Sequence, residues 1–236
     1  MNIYDELTGE PLIDPDLSAG YIYSGQRVAI HHDAVEPVIE IGILPSTENS
    51  NGGKGLRGSI AVTPGTLEWD EYEDCLIYHL YTNEEKKEIL SNKISELSDA
   101  CNRVISNGMD VTLSDGSRKH FTYSLEDQSN ISNMYNAVLM GATQFPYHSG
   151  GEPCKVYSAK DIVTIYATLS AFTTSQTTYH NMLKQYTESL DKVPDIKAVE
   201  YGQELTGEYL ENYNEMLNVA NEQMQIVLSK ASQYSV

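Results

Sequence analysis

The spacing of apolar residues changes at Thr82, and that change sets the fold class. Up to this point the apolar residues come in short runs: "YIYSGQRVAI", "PVIEIGIL", "GSIAVT" and "DCLIYHLYT". In "VIEIGIL", Val38, Ile39, Ile41, Ile43 and Leu44 partly alternate, as the residues of a half-buried antiparallel strand do. Turn signals separate the runs: Ser24-Gly25, Pro64-Gly65 and the polar stretch from Pro45 to Gly58, which reads as a glycine-rich surface loop. From Thr82 onward the spacing is helical. Thr82 and Glu85 form a capping signature, and Leu90, Ile94, Leu97, Cys101 and Val104 then recur at alternating intervals of four and three, a seam on one helix face that Gly108 closes.

The helical pattern is twice interrupted by a hairpin. In "VTLSDGSRKHF" the pair Asp115-Gly116 predicts a tight two-residue turn between short strands, and Ser124 stands three residues before Asp127, where each can cap the other. The pattern repeats in "FPYHSGGEPCKVYSAKDI", with a turn at Ser149-Gly150-Gly151 and a second cap at Ser158 and Asp161. Neither hairpin is stable alone, so the two are expected to pair edge to edge in one small sheet on a helical bundle. A long helix with Ile162, Ile165, Leu169, Leu183 and Leu190 inward follows; Pro194 is expected to end it, and an amphipathic helix closes the chain. The expected architecture is α+β. It comprises an extended arm over residues 1–19, a small antiparallel β domain over 20–82, and a mainly helical domain over 83–236 with hairpins near 111–121 and 145–157.

Charge and composition narrow the function. The formal charge is −19, and Arg occurs only at positions 27, 57, 103 and 118, so there is no basic cluster to offset phosphate repulsion and nucleic acid is not an expected partner. Cys75, Cys101 and Cys154 form no C-x-x-C pair, which predicts reduced packing residues. The opening "MNIYDELTGEPLIDPDLSAG" lacks the basic and apolar regions of a signal peptide, and no apolar run is long enough to span a bilayer, so a protein of the cytoplasm, or one released from it by lysis, is expected. The chain holds 17 Tyr against 3 Phe and 1 Trp; Tyr suits surfaces that are solvated alone and packed against a neighbour, and equally suits half-exposed core positions.

The run from Ala100 to Met134, followed by "GATQFPYHSGGEPCKVYSAKDI" and "TTYHNMLKQY", resembles a domain of unknown function in bacteriophage tail-region proteins of Clostridia-like bacteria and their prophages. The positions that carry the resemblance are Asp115, Gly116, His120, Phe121, Asp127, Gln128, Asn130, Tyr147, His148, Gly151, Cys154, Tyr157, Ser158, Ala159 and Tyr179. It extends over about residues 95–220 and leaves out the β-rich third; near its end Thr206 and Gly207 replace the family's usual Pro-Glu. The resemblance implies a place in a tail module, near fibres or baseplate, rather than a chemistry.

No G-x-S-x-G elbow, Walker loop, H-E-x-x-H or dinucleotide fingerprint is present, and no catalytic residue, metal or cofactor is expected. His31-His32-Asp33 could hold a metal only if a bend brought both rings to one side, and the acidic pairs around Trp69 match no calcium loop. His120 and His148, one in each hairpin, are expected to hydrogen-bond across the small sheet. Asp115, Gly116, His120, Ser124, Asp127, His148, Gly151, Ser158 and Asp161 are thus structural candidates. Candidate interface residues are Leu90, Ile94, Leu97 and Val104 of the first helix and Tyr209, Tyr213, Leu217 and Met224 of the last, although the first seam would serve equally as intramolecular core. The expected function is a structural component of a phage tail that self-associates, as a trimer if it follows fibre symmetry, and attaches other tail proteins. It would be assembled in the host cytoplasm and reside in the virion tail. The alternatives are a fibre-assembly chaperone, and glycan or receptor binding by the loop 45–58 with Trp69.

Overall fold

The computed structural model describes residues 1–48 and 54–231. The fold is α+β, and the chain divides into two compact units, Met1–Tyr81 and Thr82–Val236.

The first unit is built of strands β1 (Ile3–Asp5), β2 (Pro11–Leu12), β3 (Gly20–His32), β4 (Val38–Glu48), β5 (Lys54–Thr63) and β6 (Trp69–Leu80). Four of them form a sheet in the order β2-β1-β6-β3, in which β1 runs parallel to β6 and the other pairs are antiparallel. The segment 1–19, expected as an extended arm, is therefore folded into the sheet. Asp5 accepts the amides of Leu7 and Thr8 through Oδ1 and so turns β1 back toward β2, while Glu6 is held by Tyr23 and His79. Gly20 must be glycine, since a Cβ there would fall 2.2 Å from the His79 carbonyl oxygen.

Beyond this sheet β3 and β6 continue as a two-stranded ribbon with a bulge at Ala29, and β4 pairs with β5 further out. The two ladders share one register. His32 faces Trp69, Val35 faces Thr66 and Val38 faces Thr63, each three residues further along both strands. Carried through, this register sets Pro37 opposite Pro64. Neither ring has an N–H, so the ladder lapses there and only the reciprocal 2.9 Å bonds of Val35 and Thr66 bridge the gap. Residues 20–48 and 54–80 thus run antiparallel along one long ladder. Strand pairing also enters the expected loop 45–58 from both sides, with Thr47 opposite Gly55 and Glu48 opposite Lys54; positions 49–53 lie outside the described residues.

The second unit runs α1 (Asn83–Asn107), β7 (Met109–Thr112), β8 (Arg118–Phe121), α2 (Leu125–Leu139), β9 (Gln144–Tyr147), β10 (Lys155–Ser158), α3 (Ala159–Glu188), α4 (Val193–Ala198) and α5 (Gly207–Ala231). Reciprocal capping boxes open α1 at Thr82 and Glu85, α2 at Ser124 and Asp127, and α3 at Ser158 and Asp161. One buried cluster joins Val111 and Phe121 of the first hairpin, Ile131 and Val138 of α2, and Ile162, Ile165 and Leu169 of α3. A second joins Leu97 of α1, Leu183 of α3, Val199 and Leu205. Gly108 ends α1 at φ +72°, where a Cβ would meet the Phe121 carbonyl oxygen at 1.8 Å.

Three local expectations are corrected. The first hairpin turns through Ser114-Asp115-Gly116 rather than through two residues: the Gly116 N–H bonds to the Leu113 carbonyl, and Gly116 but not Asp115 has positive φ. The two hairpins form separate two-stranded ladders, joined by the Gly150 N–H on the His120 carbonyl at 2.8 Å. The long helix ends at Glu188, and Pro194 instead opens α4, where a missing N–H costs nothing.

Candidate functional site

The two hairpin-to-helix junctions are built alike, each with the sequence Tyr-Ser-x-x-Asp, at Tyr123–Asp127 and Tyr157–Asp161. In each the aspartate closes its own capping box with one carboxylate oxygen and reaches the opposite hairpin with the other. Asp127 Oδ2 accepts from Ser124 N and Oγ (3.1 and 2.8 Å) and from Thr122 Oγ1, while its Oδ1 accepts from Tyr147 Oη of β9 at 3.0 Å. Asp161 Oδ2 accepts from Ser158 Oγ at 2.7 Å, while its Oδ1 accepts the Ser114 N–H in the turn of the first hairpin at 2.9 Å. Each hairpin is therefore fastened by the cap that follows the other. Burial opposes the charge on both carboxyls, but these donors outweigh it and hold both below the ordinary aspartate range. Burial, followed by the neighbouring Asp127 charge, raises the Tyr147 phenol.

Polar side chains around this lock bind one another. Glu152 accepts from Lys119 Nζ at 2.5 Å and Lys155 Nζ at 3.0 Å, which pushes its carboxyl down to about 2. Both His120 ring nitrogens face acceptors, Asp110 Oδ1 at 2.9 Å and the Asn107 carbonyl at 2.8 Å, so both donate and the ring pKa is raised. His120 does bond across its own hairpin, since Asp110 is its cross-strand neighbour. His148 does not; it stacks on Tyr147, with Nδ1 3.3 Å from the Ser149 carbonyl. Gly151 has φ +75° in the second hairpin's turn. The arrangement fastens the two hairpins to the helices that follow them.

The expected interface seams are largely used inside the unit. Leu97 is fully buried against Leu183, and Leu90, Ile94 and Val104 are partly covered. Tyr209 packs edge-on to Tyr186; Tyr213 packs edge-on to Tyr179 and shares a hydrogen bond with Ser175. Leu217 and Met224 are partly covered, whereas Leu210, Met216, Val219 and Ile226 are apolar α5 side chains left exposed. Met216 and Val219 border a groove of about 490 Å³ between α3 and α5.

The ribbon of the first unit is organised differently. Near its base the acidic run of β6 is paired across the ladder: Asp74 accepts from Gln26, Glu73 pairs with Arg27 at 2.8 Å, Glu71 with His32 at 2.9 Å and Asp70 with His31 at 2.6 Å. Neither a calcium cluster nor a bend at His31-His32 forms, and among the described residues no group of three or more His, Cys, Asp or Glu is placed to hold a metal. Trp69 is half exposed and stacks on His32 with ring centroids 4.0 Å apart. Further out the rungs turn aliphatic. Ile39 faces Val62 and Ile41 faces Ile60, so all four side chains stand on one face of the ladder. They are 62, 58, 71 and 69% exposed, respectively. The half-buried strand expected here is therefore uncovered. In the described residues of β4 and β5 that flank this patch, Val38–Gly42 and Ile60–Thr63, the one charge is Glu40, and its partner Ala61 puts it on the opposite face.

Sequence reasoning picked out Ile39 and Ile41 as strand residues but missed that Ile60 and Val62 join them. The signal that could have found them is the matched alternation of "VIEIGI" and "SIAVT" on either side of the polar stretch 45–58. Among the described residues no helix is long and apolar enough to cross a membrane. Comparison with protein-family models, curated proteins and solved structures yields no match for the chain.

Proposed function

We propose that this chain is a non-enzymatic structural component of a bacteriophage tail, located near the baseplate or tail fibre, whose β unit attaches it to its neighbours. The observation that carries the proposal is the uncovered aliphatic ribbon in a unit with almost no core. Among the described residues Cys75 and Tyr78 are the buried apolar side chains of Met1–Tyr81, while Ile39, Ile41, Ile60 and Val62 face water. A two-stranded ribbon is at best marginally stable in water, and an apolar face of this kind marks an interaction surface. The resemblance over about residues 95–220 supports the tail assignment independently of the ribbon. On this reading the helical unit is a prefolded body, the protein self-associates, as a trimer where it follows fibre symmetry, and it is assembled in the host cytoplasm into the virion tail.

The test is quantitative mass spectrometry of gradient-purified particles, scaled to the major tail proteins. A few fixed copies per particle, in a threefold or sixfold ratio, is the expected result. Absence from particles with abundance in the lysate would replace this reading with that of an assembly chaperone.

A further inference from the structure

Resting on the reading of the β unit as the part that attaches the chain to its neighbours, we infer that the outer edge of β3, from Ile22 to Val28, receives an extended segment of a neighbouring protein. The segment adds to the sheet as a further strand, and it is neutral or basic, without acidic residues. Three observations select this partner.

The first is the direction of the backbone groups. In the β3–β6 ladder the Tyr81 N–H bonds to the Ala19 carbonyl, and alternation along an antiparallel pair then makes Tyr21, Tyr23, Gly25 and Arg27 the residues of β3 that bond to β6. The same alternation turns Leu76 and Tyr78 of β6 the other way, where the Leu76 N–H bonds to the Asn2 carbonyl and the Tyr78 carbonyl accepts the Glu6 N–H. Ile22, Ser24, Gln26 and Val28 therefore direct their N–H and C=O groups away from β6. Since β3 is the last strand of the sheet, no strand among the described residues receives them. The complement of such a row, other than water, is another extended backbone.

The second is that the other edges of this sheet are guarded. Its far side is closed by β2, which is two residues long and begins with Pro11. Past the end of β1 the outer part of β6 carries Asp70, Glu71, Glu73 and Asp74. By contrast β3 is 13 residues long and contains no Pro, Lys, Asp or Glu, and its bulge at Ala29 lies beyond Val28.

The third is what flanks the row. Tyr21, Tyr23 and Val28 are 39, 37 and 42% exposed, and Ser24 and Gln26 are exposed as well, so the edge is open to solvent. Tyr21 and Tyr23 on one face, with ring centroids 6.2 Å apart, and Ile22 and Val28 on the other offer apolar ground to β-branched or aromatic side chains of an arriving strand. Arg27 is tied to Glu73 at 2.8 Å, and the chain as a whole carries −19, so an acidic strand is repelled and a neutral or basic one is admitted.

The experiment follows amide hydrogen exchange of the full chain by NMR, with a short synthetic probe of alternating Val and Thr and a Lys at each end. In the free chain the Ile22, Ser24 and Gln26 amides should exchange fast and those of Tyr21, Tyr23 and Arg27 slowly. The probe should slow the first set by about tenfold or more and leave the second unchanged. Ser24→Pro removes an N–H that bonds nothing in the ladder, so it should keep the slow set and lose the effect of the probe, whereas Ser24→Ala should retain both. A probe with Glu in place of Lys should bind about tenfold more weakly. Outward amides that are already slow in the free chain, or that stay fast with the Lys probe at millimolar concentration, overturn the inference without any variant. Equal protection in Ser24→Pro overturns it too, and an equally bound Glu probe overturns the partner's chemistry. Particle incorporation separates the two claims. If Ser24→Pro enters particles as wild type does, the edge falls and the tail reading stands; if the probe protects the edge of a chain that is missing from particles, the reverse holds.

Discussion

The two units of this chain keep their apolar side chains in opposite places. In Thr82–Val236 a packed core holds Leu97, Ile131, Ile162, Ile165, Leu169 and Leu183 almost fully removed from water. In Met1–Tyr81 buried apolar side chains among the described residues are limited to Cys75 and Tyr78, and residues of the same kind line an open ribbon face. Folding must offset roughly 1–2 kcal/mol of backbone entropy per residue, and burial is the main source. The helical unit has that source within itself. The ribbon lacks it and must find it in contact with something else. The contrast is therefore between a part with a packed core and a part whose aliphatic face is open to water.

The sharpest way to break this contrast is to delete equal volumes in both parts. Leu97→Ala or Ile165→Ala should cost about 2–5 kcal/mol in urea unfolding followed by helical circular dichroism, because each leaves a cavity in a packed core. Comparable losses from Ile41→Ala in a dilute monomer would mean that the ribbon face is covered within one chain, and the contrast would fail.

Next in size is the fastening of the hairpins. Asp161→Asn should cost about 1–3 kcal/mol by weakening its cap and its hold on Ser114, and the Ser114 amide should exchange with solvent faster although it lies in the other hairpin. Asp127→Asn should act likewise on Tyr147. An unchanged Ser114 exchange rate in Asp161→Asn would show that the junctions are independent.

The pH dependence should be smaller and should run in two directions. Asp127, Asp161 and Glu152 have folded pKa values below their unfolded ones, so the stability they contribute is complete above about pH 4 and is lost as pH falls through the folded values, for Glu152 toward about 2. His120 has the opposite sign: its raised folded value gives stability that is complete below about pH 6.5 and lost as pH rises through the folded pKa. Asp110→Asn should lower the His120 titration midpoint in an NMR pH series and flatten the alkaline slope. An unmoved midpoint would mean that Asp110 is not the partner that holds the ring charged.

The smallest effect is expected on the ribbon itself. Ile41→Ala and Val62→Ala should change the stability of the dilute chain by no more than about 0.5 kcal/mol, since both side chains are mostly in water already. Urea unfolding of each variant at low concentration, followed by the fluorescence of Trp69, checks this.

What could be read from the letters follows the range of the interactions involved. A capping box is decided within four residues, and the boxes at Thr82, Ser124 and Ser158 form where the spacing sets them. The helical seam at Leu97 and Cys101 is likewise a local pattern, though whether it meets another chain or Leu183 is not written in its period. Strand pairing depends on distant partners. Gly20 meets Leu80 and Ile3 meets Leu76 in parallel, and nothing near residues 1–19 announces that they complete a sheet begun seventy residues later. Alternation in "VIEIGI" specifies one apolar face and says nothing about whether that face is covered. The second role of Asp127 and Asp161 was hidden for a related reason, because a cap uses one carboxylate oxygen and only the tertiary fold gives the other a donor.

The facing prolines have a mechanical consequence. A two-stranded ladder resists bending because each rung ties both strands, and between His32–Trp69 and Val38–Thr63 this one has the single tie of Val35 and Thr66. The ribbon is thus two stiff beams on a soft joint. Bending loads applied at the outer beam collect at residues 33–37 and 64–68, while tension along the strands passes through two continuous backbones. A ribbon made this way can swing at its middle without losing strength along its length.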